Sequence, residues 1–254
     1  MKLLIDVGNS NINLALYNEQ NETKAKWRIK TDPNKTADEY SIILNNLLED
    51  YPIEAVVIAS VVPVITSLLE TYSEKYLKVK PLTLISGVKT GLDIRLHNPK
   101  EIGADLVASA VGSMIKYPQP TIIIDMGTAT TISYIDNNTF HGGAVIPGVE
   151  TSLFGLISKT ALLPQIDIKA PKRVIEKETI ACMQSGIVYG TASMLDGMID
   201  RIEEEFGKKA YVVATGGLSK YITPHCKHQI TLDKNLIFDG LVDIFNKNQS
   251  ETKI

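Results

Sequence analysis

The sequence predicts an α/β protein made of two like halves, each a mixed five-stranded sheet with helices. Three observations predict this. The stretch LLIDVGNSNINLALY at residues 3–17 returns as IIIDMGTATTISYID at residues 122–136, so that Asp6 and Asp125 stand 119 positions apart. In both copies isoleucine precedes the acid, a hydrophobe and a glycine follow, and a strand-like run continues, which two like units of about 120 residues explain most simply. Each copy also opens a similar order of elements: three strands, then helices and further strands.

The elements follow from their patterns. KLLIDV is apolar and stops at Gly8-Asn9-Ser10; INLALY and KAKWRIK alternate, so the opening reads as a meander of hairpins. ADEYSIILNNLLEDY puts Tyr40, Ile43, Leu44, Leu47 and Leu48 on one helical face. AVVIASVVP is a continuous apolar run, expected to be a strand buried on both faces. VITSLLETYSEKYL reads as a helix, PLTLIS as a short strand, and EIGADLVASAVGSM as a helix. In the second half TIIIDMG, TTISYID and TFHGGAVIPG read as strands and ETSLFGLISKTALL as a helix. Thr179 to Gly207 is a long helical stretch, with Gly186 and Gly190 as the points where it could break; AYVVATGG is a buried strand and KNLIFDGLVDIFNKN a closing helix. The boundary falls at Lys116 to Pro120, where proline must end the preceding helix, giving domains 1–117 and 118–254.

Composition narrows the class. At 254 residues, 44% hydrophobic and 22% charged, the chain can build a sizeable core. A net charge of -3 lacks the basic footprint of a general nucleic-acid binder. MKLLID meets an acid too early for a signal peptide, and the longest apolar run, Ala55 to Ile65, is short of the roughly 18 residues that span a bilayer. Cys182 and Cys226 form no disulfide framework. The expectation is an unexported cytoplasmic protein with no nucleic-acid or membrane partner.

An Asp-X-Gly turn after a buried strand has a use. Glycine lets the backbone approach a phosphate, and successive N–H groups form an anion-binding concavity. Asn9, Ser10 and Asn11, or Thr128, Thr130 and Thr131, add short donors. The acid is repelled by phosphate but can hold the cation that neutralises it. Asp-X-Gly alone is ordinary turn chemistry. Two matched copies, followed by a strand ending in Thr215-Gly216-Gly217, favour a clamp for a nucleoside triphosphate.

The arrangement resembles the sugar kinase, actin and Hsp70 superfamily, whose two ribonuclease-H-like domains (the actin-like ATPase fold) hold ATP in the cleft between them. Within it, DVGNSN, GVKTGLDIR, NPKEIGAD, IDMGTATT, GGAVIPG, CMQSGIVYG and ATGG, in this order, are similar to type III pantothenate kinase. The resemblance implies ATP-dependent phosphorylation of pantothenate, with Mg²⁺, a monovalent cation (K⁺ or NH₄⁺) and a homodimer whose site lies at the interface. It implies a first phosphate loop of Asp6, Val7, Gly8, Asn9, Ser10, Asn11, Ile12 and Asn13, with Asp6 supporting Mg²⁺ through water. Gly127 and Thr128 would belong to a second loop, Asp125 would bind the monovalent cation, and Gly216 and Gly217 would border the adenosine. Asp105 would be the general base; Gly103, Ala104, Asp105, Leu106, Leu96 and Thr179 would meet the substrate, Thr179 that of a neighbouring subunit. Read from the helix alone, Asp105 is an acid that favours the helix dipole without any catalysis.

Two positions depart from the family pattern: Leu106 stands where Gly-Ala-Asp is commonly followed by arginine, and Leu96 where a tyrosine is usual. Arg95, His97, Lys100 and Lys159 are the nearest polar candidates to replace them. These leucines keep open a non-catalytic nucleotide-binding member, or a kinase of a different small alcohol. A phosphohydrolase would need a basic channel that this acidic chain does not offer. Elsewhere, Pro224-His225-Cys226-Lys227-His228 lacks the second cluster a tetrahedral metal needs. The helix bearing Met183, Met194, Leu195 and Met198 is apolar on more than one side, as a core element or a dimer interface would be.

Overall fold

The computed structural model describes residues 1–249. The first half runs β1 (Lys2–Val7), β2 (Asn11–Tyr17), β3 (Thr23–Lys30), α1 (Ala37–Leu48), β4 (Ala55–Ser60), α2 (Pro63–Tyr72), β5 (Leu82–Thr83), β6 (Asp93–Ile94) and α3 (Ala104–Lys116). Thr36 caps α1: its hydroxyl accepts from the Glu39 N–H while the Glu39 carboxylate accepts from the Thr36 N–H. The apolar run after β4 does not stay extended. Ser60 Oγ accepts from the Val62 N–H at 3.1 Å, and Pro63, with its φ already helical, starts α2.

The second half runs β7 (Thr121–Met126), β8 (Ala129–Asp136), β9 (Thr139–Pro147), α4 (Val149–Ser158), α5 (Thr179–Phe206), β10 (Tyr211–Thr215), α6 (Ser219–Ile222), β11 (Thr231–Leu232) and α7 (Leu236–Gln249). α4 stops at Ser158, short of the expected Leu163, because Leu162 is 91% exposed, with nothing to bury against, and Pro164 follows. α5 runs unbroken through Gly186 and Gly190. A glycine in a helix costs about 1 kcal/mol. Buried Met183, Val188, Ala192, Leu195 and Ile199 offset that, and Gly207 at φ +64° ends the helix.

The chain forms two compact units. One comprises Met1–Leu92, His97–Ile115 and the residues from Leu236 onward; the other comprises Asp93–Leu96 and Lys116–Asn235. The first carries a five-stranded sheet in the order β3-β2-β1-β4-β5, antiparallel across β1, β2 and β3 and parallel across β1, β4 and β5. The second sheet has the order β11-β10-β7-β8-β9-β6. Its first five strands repeat the arrangement of the other sheet; the sixth, one more than expected, is the two-residue β6, parallel to β9. The closing helix α7 belongs to the first unit, whereas the sequence reading assigned 118–254 to one domain.

Each unit has its own core. β1, β2 and β4 are buried with α1 and α2 around Leu3, Ile5, Leu14, Tyr40, Leu44, Ile58, Ile65 and Leu69. β7, β8 and β10 are buried with α5 around Ile122, Ile124, Ile132, Val188, Leu195 and Val212. At about 1.5–3 kcal/mol per fully buried large apolar side chain, these cores hold the ends of β1 and β7, and hence the two acids, on fixed supports.

Candidate active site

In the first unit, Asp6 lies next to the end of β1, 7% exposed. The β1–β2 register sets Asn13 opposite it, and the Asn13 amide donates to its carboxylate at 2.9 Å. Loss of solvent pushes the Asp6 pKa up to about 6; the Asn13 bond opposes this and the charge of Asp105 adds to it. The turn beyond is closed by the Gly8 N–H donating to the Asn11 carbonyl at 2.9 Å. Thr31 braces the turn from the end of β3: its hydroxyl donates to the Gly8 carbonyl at 2.7 Å and its N–H to the Ser10 carbonyl at 3.1 Å. Val7 and Ile12 are buried in the core, while Asn9 and Ser10 are exposed at the tip.

The start of α3 belongs to the same unit. The Gly103 carbonyl accepts the first helical bond, from the Val107 N–H at 3.1 Å. Asp105, half-buried in the first turn, accepts from the Leu106 N–H at 2.8 Å. Burial raises its pKa, against the pull of backbone N–H groups. Ala104 is buried and Leu106 half-buried. Asp6, the turn after it and residues 103–106, far apart in sequence, are thus gathered in one unit, with Asp105 close enough for its charge to raise the proton affinity of Asp6.

The second unit has a turn one residue shorter at the matching place. The Gly127 N–H donates to the Ala129 carbonyl at 3.0 Å, and Gly127 and Thr128 are exposed. Two glycine backbones press on this turn. Gly216, at φ +90°, lies so close to Met126 that a Cβ there would be 2.5 Å from the Met126 carbonyl oxygen. A Cβ on Gly148 would be 2.4 Å from the carbonyl oxygens of Gly127 and Thr128. The Thr128 carbonyl also accepts from the Gly148 N–H at 3.1 Å and the Thr151 hydroxyl at 2.7 Å, tying the turn to the start of α4. Gly217 is exposed beside Gly216. Gly148 and Thr31 were not among the expected site residues. Gly148 lay in the quoted motif GGAVIPG; Thr31 had no local signal, because its partner is 23 residues away.

Cation donors follow from the registers. Asp125 is paired with Thr131 on β8 and Thr215 on β10, a row of one carboxylate and two hydroxyl side chains across the sheet. That all-oxygen set suits a hard cation. Asp6 fits a divalent cation in another way: a buried carboxylate whose charged form is disfavoured gains from a positive partner. No cluster of three or more acidic, histidine or cysteine side chains suited to a metal occurs among the described residues. A cation held at either acid would therefore share its shell with water and phosphate oxygens, as Mg²⁺ commonly does.

The remaining expected residues lie on other elements. Leu96 is half-buried just after β6, and Thr179 is exposed as the first residue of α5. The Arg95 guanidinium is 3.1 Å from Asp93, and His97, Lys100 and Lys159 are exposed. In the His-Cys-Lys-His segment, the His228 ring meets Asp200 at 2.9 Å, the His225 ring lies edge-on to Tyr189, and Cys226 Sγ lies 3.8 Å from the Ala192 carbonyl. The two histidines and the cysteine each meet a different neighbour.

Comparison with known proteins identifies the family. The family model described as type III pantothenate kinase matches residues 2–201. The type III pantothenate kinase of Acholeplasma laidlawii (strain PG-8A) is 44% identical over 248 residues, covering 98% of this chain and 99% of its own. That of Exiguobacterium sp. (strain ATCC BAA-1283 / AT1b) is 43% identical over 255 residues, covering 98% of this chain and 100% of its own. Among solved structures, component A of the Acidaminococcus fermentans (R)-2-hydroxyglutaryl-CoA dehydratase matches with a TM-score of 0.59 at 13% identity, over 98% of this chain and 99% of that one. The Clostridium difficile activator of 2-hydroxyisocaproyl-CoA dehydratase, solved with bound ADPNP, matches with a TM-score of 0.53 at 12% identity, over 100% and 97% of the two chains. Those two likenesses concern the fold. Two matched glycine turns, each following an acid on a buried strand, and near full-length identity above 40% lead to one conclusion: the chain belongs to the type III pantothenate kinase family.

Proposed function

We propose that this protein transfers the γ-phosphoryl group of ATP to the primary hydroxyl of pantothenate, giving 4'-phosphopantothenate and ADP, the first step of coenzyme A synthesis. The observation that carries this reading is the acid pair of the first unit, in a chain of this family: Asp6 behind a glycine turn and Asp105 at a helix start, each with raised proton affinity. The turns after Asp6 and Asp125 offer backbone N–H groups to the phosphates, and Gly216 and Gly217 leave room for the adenosine. Asp6 would hold Mg²⁺, and Asp125 with Thr131 and Thr215 would hold the monovalent cation; when bound, such cations would supply neutralisation of phosphate charge. Asp105 accepts the hydroxyl proton as the new O–P bond forms and the bond from the γ-phosphorus to ADP breaks. Its raised pKa brings a carboxylate closer to the working pH of a base.

The acting form is a cytoplasmic homodimer in this reading. Val145, Phe154 and Leu162, at 75%, 72% and 91% exposure, with Ile175 and Ile180, are apolar side chains of the second unit that a partner subunit would cover. Thr179, beside Ile180, would then reach the partner's substrate. No described helix is long and apolar enough to cross a membrane.

The test is phosphorylation of pantothenate by the purified protein with ATP and Mg²⁺, in potassium and in sodium. Potassium-dependent 4'-phosphopantothenate is expected. Asp105→Asn is expected to keep the fold and lose turnover by about 100-fold or more, the range of general-base removal. Wild-type turnover in that variant would remove Asp105 from the role. ATP binding without product would favour the readings that Leu96 and Leu106 keep open, a different small alcohol or a non-catalytic protein.

A further inference from the structure

Gly103 directly precedes α3, where its carbonyl accepts the first helical bond. Helix capping does not explain a glycine here. Serine, asparagine and aspartate are equal or better at that position, and Gly103 is not among the glycines with positive φ. What explains it is the side chain two residues on. A Cβ built on Gly103 would stand 2.3 Å from Asp105 Oδ1, far inside contact distance, and 3.5 Å from its Cγ. Val61 Cγ1, 3.4 Å from the same point, bounds the space on another side. The Asp105 carboxylate is folded back over the bare α-carbon of Gly103, and this pose lets Oδ1 accept from the Leu106 N–H at 2.8 Å. Other glycines of the unit differ. At Gly112 and Gly240 a Cβ would meet backbone atoms at 2.0 and 1.9 Å, so substitution there attacks the fold. At Gly103 it meets only the end of a rotatable side chain, so the carboxylate yields and the fold does not.

We propose that Gly103 is a positioning residue for Asp105: its missing side chain is the seat that holds the carboxylate in the orientation from which it meets the substrate hydroxyl. The proposal rests on Asp105 being the proton acceptor. It differs from a role for Gly103 as part of the substrate pocket wall, because it acts wholly through Asp105.

The experiment is a double-mutant cycle with Gly103→Ala, Asp105→Ala and the pair, read by kcat, by KM for both substrates, by pantothenate affinity in titration calorimetry and by thermal melting. Gly103→Ala is expected to melt with the wild type and to lose kcat by roughly tenfold to a hundredfold, the cost of about an ångström of misplacement, with KM for ATP unchanged. In the Asp105→Ala background, where no carboxylate remains to displace, Gly103→Ala is expected to leave pantothenate affinity and any residual turnover unchanged. Wild-type kcat in Gly103→Ala, with Asp105→Ala impaired, overturns the seat. So does a further loss of pantothenate affinity when Gly103→Ala is added to Asp105→Ala, since that would make Gly103 a wall of the pocket. Wild-type turnover in Asp105→Ala would instead overturn the reading of Asp105 itself.

Discussion

Asp6 illustrates how function is paid for at the scale of a residue. Its folded pKa of about 6 lies above the ordinary 3.8 because burial penalises the charge more than the Asn13 bond relieves it, and Asp105 adds repulsion. For a carboxylic acid raised in the folded state, the native protein holds the proton more tightly than the unfolded chain. Stability is therefore highest below about pH 3.8 on this account, and falls as pH rises through the window to 6. About two pKa units correspond to a penalty on the order of 3 kcal/mol at neutral pH. We expect Asp6→Asn, melted without nucleotide or Mg²⁺, to be more stable than the wild type at pH 7.5 and level with it near pH 4, while losing turnover. An equal effect on melting at both pH values would show that the charge is not the cause.

At the scale of elements, glycines separate into those that are packed and those that are not. α3 and α7 cross at Gly112 and Gly240, where added Cβ atoms would meet the Leu236 and Ala108 carbonyl oxygens at 2.0 and 1.9 Å. α3 carries Asp105 on its first turn, so α7 sets the helix that presents the acid. α7 is itself tied down by the Tyr17 hydroxyl donating to Asp239 at 2.8 Å and by Lys247 Nζ donating to the Thr90 carbonyl at 2.8 Å. Gly240→Ala is expected to destabilise the protein by about 1–3 kcal/mol, the usual cost of overpacking. Gly186 is exposed on α5 with open space where its Cβ would be. Gly186→Ala should stabilise by up to about 1 kcal/mol. Urea denaturation of both variants checks the contrast; equal shifts would deny that packing separates the two sites.

At the scale of the whole molecule, the first unit is discontinuous in sequence. Its sheet is complete by Thr83, yet α7 packs on β1 and β4 and buries Leu236, Phe238, Leu241, Val242 and Ile244. A chain ending at Asn235 would leave that face of the sheet open to water. We expect such a chain to lose hydrogen-exchange protection in β1 and β4 while β7 and β10 keep theirs. Retained protection in β1 would mean that α7 is an appendage.

Much of this was legible in the sequence, because it rests on local pattern. The repeated acid-and-glycine turns marked both β1 and β7, and apolar runs and helical spacing located most of the longer strands and helices. The resemblance carried by seven short motifs reached the family. What was not legible was decided by partners distant in the chain. Whether α5 broke at its glycines was settled by the core behind Val188 and Leu195, which held it in one piece, and α4 stopped early because Leu162 had no core to enter. β6 formed because β9 lent its edge, a pairing across more than 40 residues that two residues of sequence do not announce. The sequence by itself determined the kind of chemistry, since acids, glycines and hydroxyls at turns are chosen position by position. Tertiary structure alone decided that the Asp105 charge reaches Asp6 inside their shared unit, that Gly103 seats a carboxylate and that the last helix returns to the first sheet. Burial and contact depend on which surfaces meet, and no local window of sequence contains both.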